Sequence, residues 1–232
     1  MMTFLVIVVV SAALIFGAAW GIYWGLSEKA EGFLVAVAGG SLLVSTVLEL
    51  IEPATREANM LVALAVVLAG AIVFSVLDWL VKKKWGGDSG GGLLAAITID
   101  GIPENLALGV ALIGAGPMSV AALSGSILLS NLPEAAGGAR QMIKNKRSKA
   151  QVFFLWTMTA LLLSVAAILG NLLLEGVSRD LLAYIRCFAG GAVIGSLATE
   201  VFPLAFKEDN YVAGVAAAIG VVLAFLLNSL AG

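Results

Sequence analysis

Histidine is absent from all 232 residues, and cysteine occurs once, at Cys187. The first absence removes the imidazole that most often serves as a general base or a zinc ligand. The second excludes an internal disulfide and any CxxC pair. A lone cysteine in this setting reads as a small apolar residue in a helix. Charge is scarce too: 13 Lys and Arg against 15 Asp and Glu make only 12% of the chain and leave a net charge of −2. No nucleic acid is expected as a partner. There is no phosphate-binding glycine loop and no Ser/His/Asp set, so neither ATP hydrolysis nor covalent catalysis has the residues it needs. The chain is not expected to be an enzyme or to hold a cofactor.

What is present is apolar: 61% of the residues are hydrophobic and the mean hydropathy is +1.06. These values point to a polytopic membrane protein whose partner is the lipid bilayer. A helix of about 20 apolar residues crosses a hydrocarbon core of about 30 Å. Eight such spans are expected, at 2–26, 31–52, 58–81, 93–114, 118–143, 150–174, 180–205 and 211–231, in a single transmembrane domain over 1–232. Residues 1–26 lack a basic leading region and a small-residue cleavage site, so they read as a first membrane helix. Gly86–Gly92 is the only linker-like piece. Ten of the 13 basic residues (Lys29, Lys82, Lys83, Lys84, Arg140, Lys144, Lys146, Arg147, Lys149 and Lys207) fall on one side, and Arg56, Arg179 and Arg186 on the other. The positive-inside rule makes the first side cytoplasmic and puts both termini outside. Trp20, Trp24, Trp79, Trp85 and Trp156 fall mostly near span ends, as interface anchors do. A compact chain of this kind suits the plasma (inner) membrane of a prokaryote.

The chain resembles itself. AGGSLLVSTVLELIEP from Ala38 and AGGAVIGSLATEVFP from Ala189 share Gly39-Gly40 with Gly190-Gly191, Ser45 with Ser196 and Glu49 with Glu200. Spans 2 and 7 run in opposite directions, and so do spans 4 and 5. That is an inverted repeat of 3+2+3 spans, an arrangement found in secondary transporters.

The middle pair carries the chemistry. IDGIPENLALG (99–109) and LSNLPEAAGG (129–138) each place an oxygen-bearing side chain three residues before Pro-Glu. Asp100 and Glu104 share one helix face, about 6 Å apart along the axis. An acid at the centre of a membrane helix costs roughly 2.5–3.5 kcal/mol on insertion scales, so it faces the bundle interior and needs a partner. With no histidine, and no basic residue deep in a span except Arg186, that partner is expected to be a bound cation or protons. Pro103 and Pro133 have no N–H for the carbonyls of Ile99 and Leu129, so each kinks its helix and frees an oxygen beside the following Glu. Asp100, Glu104, Asn105, Ser130, Asn131 and Glu134 would together form an oxygen-rich cage of the kind that hard divalent ions use. A purely structural account suits one Pro-Glu; it suits two matched copies far less well.

These residues resemble the ZIP (Zrt-, Irt-like protein) family of metal transporters, which has eight spans, both ends outside and inverted symmetry. Family span 4 carries His-Asn-x-Pro-Glu-Gly and span 5 His-x-x-Pro-Glu-Gly. Here they read Asp100-Gly101-Ile102-Pro103-Glu104-Asn105 and Ser130-Asn131-Leu132-Pro133-Glu134-Ala135. The resemblance implies that Glu104 and Glu134 are metal-bridging ligands, that Asp100 and Ser130 stand where the family has histidine, and that Asn131 completes the set. Ser164 matches a position where some members have Glu. It further implies a transport unit of spans 1, 4, 5 and 6 moving against spans 2, 3, 7 and 8, a homodimer, and import of metal into the cytoplasm. Replacing both histidines favours oxygen-seeking Mn²⁺ or Fe²⁺ over strict zinc selection. Asn105, Ser164, Glu49 and Glu200 form a further tier of candidate cation-facing residues. The expected function is transport of a divalent metal, as substrate and not cofactor, by alternating access. The alternatives are a carrier of another cation or solute on the same fold, or a non-transporting membrane sensor or structural protein.

Overall fold

The computed structural model describes the backbone of residues 2–85, 90–114, 117–208 and 211–230. Side chains are described for these except residues 2, 85, 90–97, 100, 117, 118 and 208. Of the expected linker at 86–92, residues 86–89 lie outside the described residues, while 90–92 are helical and not linker, forming the first turn of the helix Gly90–Ala111. The described chain is helical and contains no strand.

The helices are α1 (Met2–Tyr23), α2 (Glu28–Thr46), α3 (Glu52–Glu57), α4 (Met60–Trp85), α5 (Gly90–Ala111), α6 (Ala121–Lys144), α7 (Lys149–Leu174), α8 (Arg179–Ser196), α9 (Phe202–Glu208) and α10 (Ala213–Ser229). A π turn at Val47–Ile51 joins α2 to α3, and another at Leu197–Val201 joins α8 to α9. Each of the eight expected stretches is thus one helical rod, with ends shifted by a few residues. Ser27 starts α2 by accepting from Ala30 N, and Ser148 starts α7 with a reciprocal capping box to Gln151.

Among the described residues, five rods are long and apolar enough to cross a membrane: Thr3–Tyr23, Glu28–Glu57, Met60–Lys84, Lys149–Leu174 and Arg179–Lys207. α10 is apolar but shorter. α6 falls outside this group because Ser124, Ser126, Ser130, Asn131, Glu134 and Arg140 interrupt its apolar run. The outward faces are strongly apolar, as with Leu5 and Phe16 on α1, Leu61 and Leu68 on α4, Leu173 on α7 and Val222 on α10. That much exposed apolar surface is what a lipid-facing protein presents.

Two kinds of contact hold the rods together. In the first, a glycine lets a neighbouring backbone approach so closely that a Cβ would overlap a carbonyl. Gly40 of α2 meets Ala217, and Gly220 of α10 meets Val37. Gly191 of α8 meets Val67, and Gly70 of α4 meets Phe188. Gly17 and Gly21 of α1 meet Leu132 and Ala136 of α6, and Gly109 of α5 meets Ala167 of α7. Among the described residues, every such backbone contact stays within α1, α5, α6 and α7 or within α2, α4, α8 and α10. Side chains complete each set. Leu14 and Ala18 pack with Trp156 and Leu163 in the first, and Gly190 lies against Thr46 and Ile51 in the second. Trp156 is fully buried there, so it is a core residue and not the interface anchor its place in the sequence suggested. Trp24 and Trp79 are exposed.

The second kind joins the two sets through side chains. A central apolar cluster contains Ile7, Leu108, Leu123 and Ile127 from one set and Leu42, Leu50, Val193 and Leu197 from the other. Ser41 of α2 and Ser126 of α6 share a buried hydrogen bond of 2.6 Å.

The backbone contacts predict a sharp asymmetry. Gly40→Ala and Gly191→Ala should each destabilise the protein by about 1–3 kcal/mol through overpacking. Gly214→Ala, with nothing within 4 Å of the added carbon, should not. Thermal unfolding in detergent of the three variants checks this.

Candidate metal site

Pro103 and Pro133 both lie inside continuous helices, α5 and α6. The glutamates that follow sit well inside the bundle: Glu104 is 3% exposed and Glu134 is half-buried. The two helices come from the same set but pack on different neighbours, α5 mainly on α7 and α6 mainly on α1. The charges of Glu104 and Glu200 both act on the Glu134 carboxylate, so the three acids stand within electrostatic reach. Among the described residues, Glu134 has no hydrogen-bond or ion-pair partner.

The oxygen-bearing neighbours are buried with them: Ser130, Asn131 and Asn105 are all nearly inaccessible. Asn131 Nδ2 donates to the Val10 carbonyl of α1 at 3.1 Å, which ties the site helix to its neighbour and leaves the carboxamide oxygen for other use. Asn105 Nδ2 donates to the Gly101 carbonyl at 2.9 Å, and its Oδ1 has no partner among the described residues. Asp100 stands one turn before Glu104 on α5, and its side chain lies outside the described residues. Among those that are described, no three Asp, Glu or Cys side chains gather closely enough to hold a metal ion. The described carboxylates of the expected cage are Glu104 and Glu134.

The further tier behaves differently. Ser164 Oγ donates to the Ala160 carbonyl of its own helix at 2.8 Å. Glu49 caps α6, accepting from Ala122 N and Leu123 N at 3.0 Å each. Its carboxylate thereby satisfies two free amides and meets the positive end of the helix dipole. Glu200 pairs with Lys82, whose ammonium also binds the buried Asp78 at 3.0 Å. Lys82 is itself exposed near the end of α4 and bridges the two carboxylates from there. Arg186 itself contacts Glu57 at 3.5 Å and the Ile113 carbonyl at 3.4 Å. The buried Glu31 pairs with the half-buried Arg140 at 2.7 Å.

Two features escaped sequence reasoning. The π turns surround Glu49 and Glu200, with Glu52 N bonded to the Val47 carbonyl and Phe202 N to the Leu197 carbonyl. Their signal was present: Pro53 and Pro203 have no N–H to offer Glu49 and Thr199, and a widened turn accommodates that loss. The Asp78–Lys82 pair was also readable from its four-residue spacing.

Compared with family models the chain matches none, and no curated protein matches it.

The Glu49 cap makes a testable claim about α6. Glu49→Ala should cost about 1–2 kcal/mol of stability, since it leaves two amides unmet and removes a charge from the helix start. Glu49→Gln, which keeps an acceptor, should recover part of that loss in the same unfolding measurement.

Proposed function

We propose that this chain is a ZIP-like carrier that moves divalent metal cations across a membrane by alternating access. It has eight spans in a 3+2+3 inverted repeat, with both termini on the outer side. One observation carries the reading. Two helices with matched Pro-Glu motifs bring Glu104 and Glu134 into electrostatic reach inside an apolar bundle, and Glu134 has no basic partner among the described residues. The neighbouring acids Glu31, Asp78 and Glu200 each have one. A carboxylate left unpaired in such a setting is expensive, and a cation is what would offset that cost.

Other features support the same reading. The glycine contacts of α2 with α10 mirror those of α8 with α4, and the two π turns fall at matching places in α2–α3 and α8–α9. Both are what an inverted repeat produces. The basic residues Lys144 and Arg140 meet Glu28 at the end expected to be cytoplasmic. The division into α1, α5, α6, α7 against α2, α4, α8, α10 coincides with the transport and scaffold units that the family resemblance implies.

In the proposed site Glu104 and Glu134 bridge the cation. Asp100, Ser130, the Asn131 oxygen and the carbonyls freed by Pro103 and Pro133 fill its remaining positions. All are oxygen donors, which suit Mn²⁺ and Fe²⁺ better than a strict zinc site. Glu49, as a helix cap, and Ser164, bonded to its own helix, stand outside this ligand set.

Uptake by purified protein in liposomes tests the proposal, with Zn²⁺, Mn²⁺, Fe²⁺, Cd²⁺, Mg²⁺ and Ca²⁺ offered separately. Mn²⁺ or Fe²⁺ should enter faster than Zn²⁺. The Glu104→Gln/Glu134→Gln variant should fall to the rate of empty liposomes while remaining folded. Folded wild-type protein that moves none of these metals would overturn the reading.

A further inference from the structure

Ser130, Glu134 and Gly137 are spaced by four and three residues, so they lie along one face of α6. A turn beyond Glu134, the Glu31 carboxylate of α2 occupies the space that a side chain at Gly137 would need. Glu31 is 6% exposed. Arg140, another turn along, donates from Nη2 to Glu31 Oε2 at 2.7 Å. The more exposed Glu28 adds contacts to Arg140 at 3.6 Å and to Lys144 at 3.1 Å. An ion pair therefore sits across the Glu134 face, between Glu134 and the end that carries Lys144, and its partners come from the two different helix sets.

A buried pair of this kind adds little net stability, because desolvating both ions offsets most of their attraction. Its position is the informative feature. A cation leaving Glu134 along this face toward the lysine-rich end meets Glu31, held in place by Arg140. We propose that Glu31 and Arg140 form an ionic latch that closes the site toward the lysine-rich side, and that this side opens only when the pair parts. The proposal rests on reading Glu134 as part of a cation path. Gly137 is the third component, because any side chain there would displace the carboxylate from its seat beside Arg140. A divalent cation arriving at this level competes with Arg140 for Glu31, so the passing ion itself loosens the latch.

The test uses the full chain with Cys187→Ala, which removes the single native thiol, and Ser130→Cys as reporter. A membrane-impermeant thiol reagent is applied to either side of sealed, oriented vesicles, and the labelling rate at position 130 is measured with Glu31→Gln, Arg140→Gln and the double variant. Labelling from the lysine-rich side should rise about tenfold in each, with no rise from the other side. Unchanged labelling in folded variants, or an equal rise from both sides, would overturn the latch. If a single variant leaves an unpaired buried charge and does not fold, the double variant decides, since it buries no charge. No metal is present in this assay. Shifted labelling in a protein that moves no metal would keep the latch and remove the carrier reading. Metal uptake with unchanged KM and Vmax when Glu31→Gln/Arg140→Gln is made in the chain that keeps Ser130, together with unchanged labelling, would remove the latch alone.

Discussion

A carboxylate inside this bundle has no imidazole to turn to, and that constraint organises the interior. Burying an acid without a partner is costly, and Glu31, Asp78, Glu200 and Glu49 meet that cost in three ways. Glu31 takes the Arg140 guanidinium, and Asp78 and Glu200 share the Lys82 ammonium. Glu49 takes two backbone amides at the start of α6. These solutions fix how α2 sits on α6 and how α8 sits on α4. What distinguishes Glu134 is that, among the described residues, no basic group or amide pairs with it, and the charges of Glu104 and Glu200 act on it instead. The proposed site is therefore marked as much by the pairing of its neighbours as by its own residues.

The two kinds of interface differ in what can move. Where a glycine seats a neighbouring carbonyl against its backbone, sliding one helix past the other drives the next side chain into that carbonyl. Such contacts act as fixed joints, and in lipid they are held by close packing with no hydrophobic drive to add. Between the two sets the contacts are hydroxyl pairs, ion pairs, a helix cap and apolar side chains. Polar bonds of this type are worth on the order of 1 kcal/mol each in a membrane setting, and each can be exchanged for another. Firm joints inside each set and exchangeable contacts between them are what the proposed alternating access would require. The glycines at 40, 70, 191 and 220 and the polar groups at 31, 41, 49 and 140 thus serve opposite ends of one design.

Much of this was legible in the sequence because it rests on local chemistry. Eight apolar stretches with polar breaks specify eight rods, and two Pro-Glu motifs at matching offsets mark the buried acids. Ala38-Gly39-Gly40 and Ala189-Gly190-Gly191 announce the close-packed faces. The rest depends on partners distant in the chain. Nothing near Glu49 says that its carboxylate will cap a helix starting at Ala121. Lys82 sits at the end of an apolar run and looks like a topogenic charge, yet its long stem carries the ammonium back to Glu200. Trp156 lies seven residues into α7, where an anchor and a core residue look alike. Only its packing against Leu14, Ala18 and Met142 separates the two.

The donor set also bears on how a carrier differs from a storage site. Imidazole and thiolate bind first-row transition metals tightly, and metal affinity is set largely by ligand type and geometry. A transported ion must be held firmly enough to enter and loosely enough to leave. Aspartate and serine in the positions where the resembling family has histidine shift the proposed site toward weaker, more readily exchanged oxygen ligands. In the proposed site the two prolines would act in the same direction, since a carbonyl left without its helix bond is a neutral donor that a departing ion gives up at little cost. On this view the missing histidines retune the site, exchanging zinc affinity for ease of release. In the proposed site the paired glutamates would remain as the charge that draws the cation in.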